Sequence, residues 1–183
     1  IGSALDAQIF QIDKEILPLV GIRSYEPYMW KPDSLRFYRS NKRFSQLEYH
    51  NSTFKEQEIQ VIHSQNILKN WNAGFDFNRI TVKDFLPNSD VFHSRFAVFT
   101  WYESPNKRYN LFLSAIWNVF KNQVNGGLKS DSLFDLGNIT NLGLKGLSIN
   151  LSDAKHHYRN HKLTLQHRYN ILNIPHSGKN SKR

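Results

Sequence analysis

Apolar residues recur at every second position between Arg108 and Asn122, RYNLFLSAIWNVFKN. Tyr109, Leu111, Leu113, Ala115, Trp117 and Val119 leave one side, and Asn110, Ser114, Asn118 and Asn122 leave the other. Strict period-two alternation predicts a β-strand, because successive side chains project from opposite faces of the pleat. A run of about fifteen residues exceeds the usual five or six of a globular strand and the ~9–11 of a tilted membrane-spanning one. The polar side is amide and hydroxyl rather than charge. That pairing suits a barrel wall with lipid on one side and water on the other.

The same alternation predicts further strands on either side. The first covers roughly Leu35–Asn51 and the second Gln57–Gln65, joined by the short link NSTFKE. In the third, WNAGFDFNR, Trp71, Ala73, Phe75 and Phe77 alternate with Asn72, Gly74, Asp76 and Asn78. The fourth spans Ser94–Tyr102 and leaves its faces undecided: Arg95, Ala97, Phe99 and Trp101 against Phe96, Val98, Thr100 and Tyr102. In the sixth, Leu163, Leu165, His167, Tyr169 and Ile171 oppose Lys162, Thr164, Gln166, Arg168 and Asn170. The expected fold is therefore all-β, an antiparallel meander of about six strands forming part of a transmembrane β-barrel.

Before these strands, residues 1–33 are broken by Pro18, Gly21, Pro27 and Pro32, and are expected to form an N-terminal arm. Residues 34–173 are the expected barrel segment, with a long loop at 123–155; residues 174–183 are a basic polar tail or the start of the next loop. The short links NILKN and SPNK alternate with long ones at 82–92 and 123–155, the parity of periplasmic turns and extracellular loops.

Composition changes this picture little. Among 183 residues, 39% are hydrophobic, and mean hydropathy is −0.56. No run is apolar enough for a membrane helix, but a barrel strand is half polar and escapes that test. Aromatics at 14% suit strands and interfacial girdles. There is no cysteine, so disulfides and cysteine-ligated metals are excluded. The net charge of +9 is scattered apart from the tail residues Lys179, Lys182 and Arg183, which disfavours a nucleic-acid patch. The chain opens at Ile1 without Met or a secretory h-region, as expected of a processed chain or an excerpt of a longer one.

Two blocks carry a resemblance: FSQLEYHNSTFKEQEIQVIHSQNILKNWNAGFDFNRI and FHSRFAVFTWYESPNKRYNLFLSAIWNVFKNQVNGGL. Through Glu56–Gln57, HSQN at His63, SPNKRY at Ser104–Tyr109 and NQVNGG at Asn122–Gly127, residues 43–128 resemble the putative porin family of Bacteroidetes outer membranes. The 156–172 strand looks like that family's next one. The resemblance implies an outer-membrane location and the N-terminal portion of a longer barrel, hence a sheet with two free edges.

Candidate chemistry is sparse. His156, His157 and His161 lie close in sequence, but along a strand His157 and His161 stand ~13 Å apart at ~3.3 Å per residue, too far to share an ion. Ser114 and His63 lack a nucleophile-elbow context, so no enzyme is expected. The NGG at 125–127 has no following Lys-Ser/Thr and reads as a turn. Expected lumen-facing residues are Asn72, Asp76, Asn78, Asn110, Ser114, Asn118, Lys162, Gln166 and Arg168. Lys162 and Arg168 read either as an anion-preferring lumen or as solvated charge. Expected lipid-facing or girdle residues are Trp71, Phe75, Phe77, Trp101, Tyr109, Leu111, Leu113, Trp117, Leu163, Leu165 and Tyr169, with Trp71, Trp101, Tyr109 and Tyr169 forming an outer belt. The expected function is a passive diffusion channel for small polar solutes. The expected partners are outer-membrane lipid or lipopolysaccharide and those solutes, with no nucleic acid and no cofactor; a homo-oligomer is compatible with the pattern. Competing readings are a non-conducting barrel that scaffolds partner proteins, and a soluble secreted barrel with its apolar face turned inward.

Overall fold

The computed structural model describes residues 23–52, 55–83, 86–130 and 146–171. It contains six strands: β1 (Phe44–Asn51), β2 (Glu56–Leu68), β3 (Trp71–Val82), β4 (Val91–Glu103), β5 (Tyr109–Gln123) and β6 (Lys155–Tyr169). Each pairs antiparallel with the next, giving one sheet in the order β1-β2-β3-β4-β5-β6. The fold is the expected all-β meander, and the sheet is not closed. Among the described residues β1 pairs only with β2, and β6 only with β5.

The first strand departs from expectation. It begins at Phe44 rather than near Leu35, because the preceding residues are used differently. Two 3-10 turns, Arg23–Tyr28 and Pro32–Ser34, lead into a stretch that lies across one face of β4 and β5. Phe37 packs edge-on against Phe99 and Phe112 at centroid distances of 5.8 and 5.2 Å. The covering segment thus runs on to Arg39, past the expected end of the arm at residue 33.

Register divides the sheet into two faces. Asn66, Asn72, Trp101 and Phe112 stand opposite one another across β2 to β5, as do Gln60, Asn78, Arg95, Asn118 and Asn160 across β2 to β6. This face, under the N-terminal segment, is the covered face. The opposite, bare face has as one row Leu47, Val61, Phe77, Phe96, Trp117 and His161. The fourth strand's ambiguity resolves with Arg95, Ala97, Phe99 and Trp101 covered and Phe96, Val98, Thr100 and Tyr102 bare. Trp101 therefore corrects the expected belt. It lies opposite Asn72, is 7% exposed, and its indole Nε1 donates to the Tyr38 carbonyl at 2.7 Å. A buried indole keeps its place only when the N–H finds an acceptor, and the covering segment supplies one. Tyr102 takes the expected position, opposite Trp71 and one row from the Tyr109–Tyr169 pair.

The two ends of the sheet differ. At one end, residues 69–70 and 104–108 make tight turns. Pro105 sits where a turn favours it, Lys107 N donates to Ser104 O at 2.8 Å, and Lys107 takes a left-handed φ of 56°. Ser104 Oγ accepts from Tyr109 N, which locks the exit into β5. At the other end lie, among the described residues, 83, 86–90, 124–130 and 146–154. The Asn88 side chain donates to Val124 O and Leu151 O, tying the two loops together. Gly126 and Gly127, at φ of 66° and 83°, turn the chain out of β5 as expected of NGG. The described limbs of the long loop pair with each other through the Leu128–Ile149 bridge, and residues 131–145, with most of the loop's apolar side chains, lie outside the described residues. The parity of link lengths holds with one departure: the short 52–55 link lies at the long-loop end.

Gly74 is required by a close approach. A Cβ there would sit 2.5 Å from the His63 carbonyl oxygen and 2.7 Å from the Phe99 ring, which lies over the glycine. The ring covers the bare backbone that a strand glycine leaves, an arrangement that pins register. Gly74→Val is expected to destabilise the folded protein by at least ~1–3 kcal/mol through overpacking, read as a lower temperature for loss of heat-modifiable migration.

Candidate functional site

The covered face combines polar side chains with a second layer of chain, and its local sequence explains both. Along β5 this face reads Asn110, Phe112, Ser114, Ile116, Asn118, Phe120, Asn122, alternating amide or hydroxyl with bulky apolar residues. A face meant only for water has no use for those apolar groups. Here Phe112 meets Phe37, and Phe120 stacks with Tyr25 at 6.3 Å. Phe120 and Ile116 are essentially inaccessible.

The polar residues between them grip the segment's backbone. The Asn118 carboxamide pairs with both main-chain groups of Trp30: Trp30 N donates to Oδ1 at 3.1 Å, and Nδ2 donates to Trp30 O at 3.0 Å. Asn118 is fully buried, so each bond replaces one that water would otherwise make. Arg95 donates through Nη1 to Tyr28 O at 3.0 Å and through Nε to Asn78 Oδ1 at 3.2 Å. Its guanidinium also lies 5.3 Å from the Trp30 ring centre. Asn78 Nδ2 in turn donates to Glu58 at 2.8 Å, and Arg95 approaches the same carboxylate oxygen at 3.9 Å. At the tight-turn end, Arg39 bonds Glu103 at 2.9 Å and lies over Trp101. The phenol of Tyr38, outside the strands, is held above its usual pKa by burial, with Asp76 acting the same way and Arg36 opposing. Asn118→Ala is expected to free the segment at Trp30, costing ~1–3 kcal/mol for the orphaned peptide groups. Faster protease cleavage between residues 23 and 39 is the readout.

Nearer the long-loop end, Tyr25 stacks on His156 at 5.0 Å and meets His93 edge-on. His93 Nε2 pairs with Asn122 Oδ1 at 3.0 Å. Four buried polar atoms in this corner, His93 Nδ1, Asn122 Nδ2, His156 Nδ1 and Asn160 Oδ1, have no hydrogen-bond partner among the described residues.

All the residues expected on the polar side lie on the covered face. Asn72 accepts from Ser64 at 2.9 Å, Asp76 accepts from Gln60 at 3.2 Å, and Asn78 and Asn118 belong to the clamp. Asn110, Ser114, Lys162, Gln166 and Arg168 share the face by register across β5 and β6 without joining that network. Of the residues expected on the apolar side, Trp71, Phe75, Phe77, Tyr109, Leu111, Leu113, Trp117, Leu163, Leu165 and Tyr169 are on the bare face and Trp101 is not. His156 is covered while His157 and His161 are bare, and no metal-binding cluster occurs among the described residues. The clamp residues Arg95, Glu58 and Trp30 and the His93 corner were not singled out from sequence. The signal available for them was the aromatic spacing on the polar side of β5.

Acidic side chains within the strands, Glu48, Glu56, Glu58, Asp76 and Glu103, all fall on the covered face. The bare face carries none. No curated protein and no solved structure matches this chain. The family model described as putative porin matches residues 1–183, and the chain belongs to the putative porin family of outer-membrane β-barrels.

Proposed function

We propose that these strands form part of the wall of a passive diffusion channel for small polar solutes, with the bare face against lipid and the covered face toward the lumen. The observation that carries this reading is the split between faces. Leu47, Val61, Phe77, Phe96 and Trp117 make one continuous apolar row, while every strand carboxylate and the amide network lie on the other side. A carboxylate or amide facing hydrocarbon would cost several kcal/mol, and turning the apolar row into an aqueous lumen would forfeit ~25 cal/mol per Å². Closure requires further strands on the β1 and β6 edges, since unpaired backbone groups in lipid are also worth several kcal/mol each. The segment Arg23–Arg39 then lies inside the barrel and narrows it.

Liposome swelling by the intact protein tests this. Uptake should fall steadily with solute size for uncharged sugars. Inserted protein that gives no swelling and no conductance in planar bilayers would favour the scaffolding barrel instead.

A further inference from the structure

The cations of the bare face are confined to one end. Arg79, Lys121, Lys155 and Arg159 are its Lys and Arg residues within the strands, and all lie toward the long loops. The row Ile59, Arg79, Ser94, Val119, Arg159 is one pleat repeat, ~7 Å, beyond the apolar row that ends in Trp117 and His161. The next row is Gln57, Thr81, Phe92, Lys121, His157. At the tight-turn end the corresponding bare-face positions are Trp71, Tyr102, Tyr109 and Tyr169, without a charge.

Arg79 and Lys121 stand at a cleft, and Arg159 lies outside its lining, one row from the His157 that belongs to it. Arg79 and Lys121 approach the Phe92 ring from two sides, at 4.8 and 5.8 Å from its centre. The cleft they border has a volume of about 510 Å³ and also takes in Lys83, Lys155 and His157. Asp90 is its one acidic lining residue, against four Lys or Arg. The described residues place no carboxylate within ion-pairing distance of Arg79, Lys121, Lys155 or Arg159. A second groove shares Arg79, Thr81 and Lys83, so the basic rim continues toward β2.

We propose that this rim is a binding site for the phosphate groups of an anionic lipid headgroup, with the acyl chains lying on the apolar row below. The proposal rests on the lipid-facing reading of the bare face. Cations in excess of the single carboxylate attract a phosphate, and Arg79 and Arg159 can each present guanidinium N–H groups to its oxygens, with the Arg159 Nε held by His157 Nε2 at 3.0 Å. A lipid is favoured over free phosphate because the rim runs directly into the apolar surface of Ile59, Val119, Phe96 and Trp117. The matching end of the sheet carries the long loops, which places the site at the outer leaflet under the usual loop parity.

Native mass spectrometry of the intact protein, delipidated and then mixed with bis-phosphorylated lipid A or its dephosphorylated form, tests the site. The native protein should retain the phosphorylated lipid at least tenfold better, since each Lys or Arg near an anionic surface contributes roughly fivefold. The triple variant Arg79→Gln, Lys121→Gln, Arg159→Gln should lose that preference, and the milder Lys121→Gln should reduce it if the triple variant fails to fold. Equal retention of both lipids, no change in either variant, or displacement by inorganic phosphate alone would overturn the proposal. Conductance in neutral phosphatidylcholine bilayers keeps the two readings apart. Unaltered conductance with no lipid preference removes the phosphate site alone, whereas absence of insertion in any bilayer removes the barrel reading.

Discussion

Deletion of residues 24–38 is expected to give a severalfold larger single-channel conductance. Those residues carry Tyr25, Trp30, Phe37 and Tyr38, which lie on β4 and β5 and, in the proposed channel, would take up cross-section of the lumen. The gain comes with a loss of stability. Phe99, Phe112 and Phe120 lose their cover, and exposing a buried side chain of this size costs ~1.5–3 kcal/mol. The same deletion should therefore lower the unfolding temperature. Asn118→Ala, which removes only the Trp30 clamp, should produce a smaller conductance rise with more frequent transitions between levels. Unchanged conductance in the deletion, with folded protein in the bilayer, would mean that the segment lies outside the ion path.

A second large effect is expected from adjacent residues of β6. Leu163 is 76% exposed on the bare face, and Thr164 follows it on the covered face. Leu163→Arg should reduce folding into lipid by ~2–4 kcal/mol, the cost of a cation on the lipid side near mid-membrane. Thr164→Arg adds the same charge one residue away and should cost little if, as proposed, the covered face meets water. Urea titrations of folding into vesicles measure both. Equal penalties would remove the distinction between the faces.

The strands were legible because alternation is a local signal, displayed by the apolar side of β5 and by β6 from Lys162 onward, whereas the 155–161 half of β6 is polar on both sides apart from Tyr158. β1 was over-extended for a physical reason. Phe37 and Tyr38 look like strand residues in sequence, but their rings are used to cover Phe99 and Phe112, and nothing local announces that. Trp101 was misplaced because both faces of β4 are apolar in composition, so period alone could not choose between them. Its hydrogen bond to the Tyr38 carbonyl depends on a partner 63 residues earlier in the chain.

The covering segment itself had one readable sign. Phe112, Ile116 and Phe120 interrupt the polar side of β5 at every fourth residue, an apolar pattern that a solvated wall does not need. Asn118 and Arg95 were harder still. Their role comes from the Trp30 and Tyr28 backbone groups they grip, and a side chain that binds peptide groups leaves no complementary residue type to look for.

On the proposed reading the bare face meets lipid and the covered face meets water. The chain has no cysteine, so single replacements can be labelled without a background. Spin labels placed singly through Leu163→Cys, Thr164→Cys, Leu165→Cys and Gln166→Cys, in the intact protein in bilayers, report collision with oxygen dissolved in lipid and with a water-soluble nickel chelate. Positions 163 and 165 should favour oxygen and positions 164 and 166 the chelate, with a period of two. The opposite phase, or no alternation, would contradict the assignment of the faces.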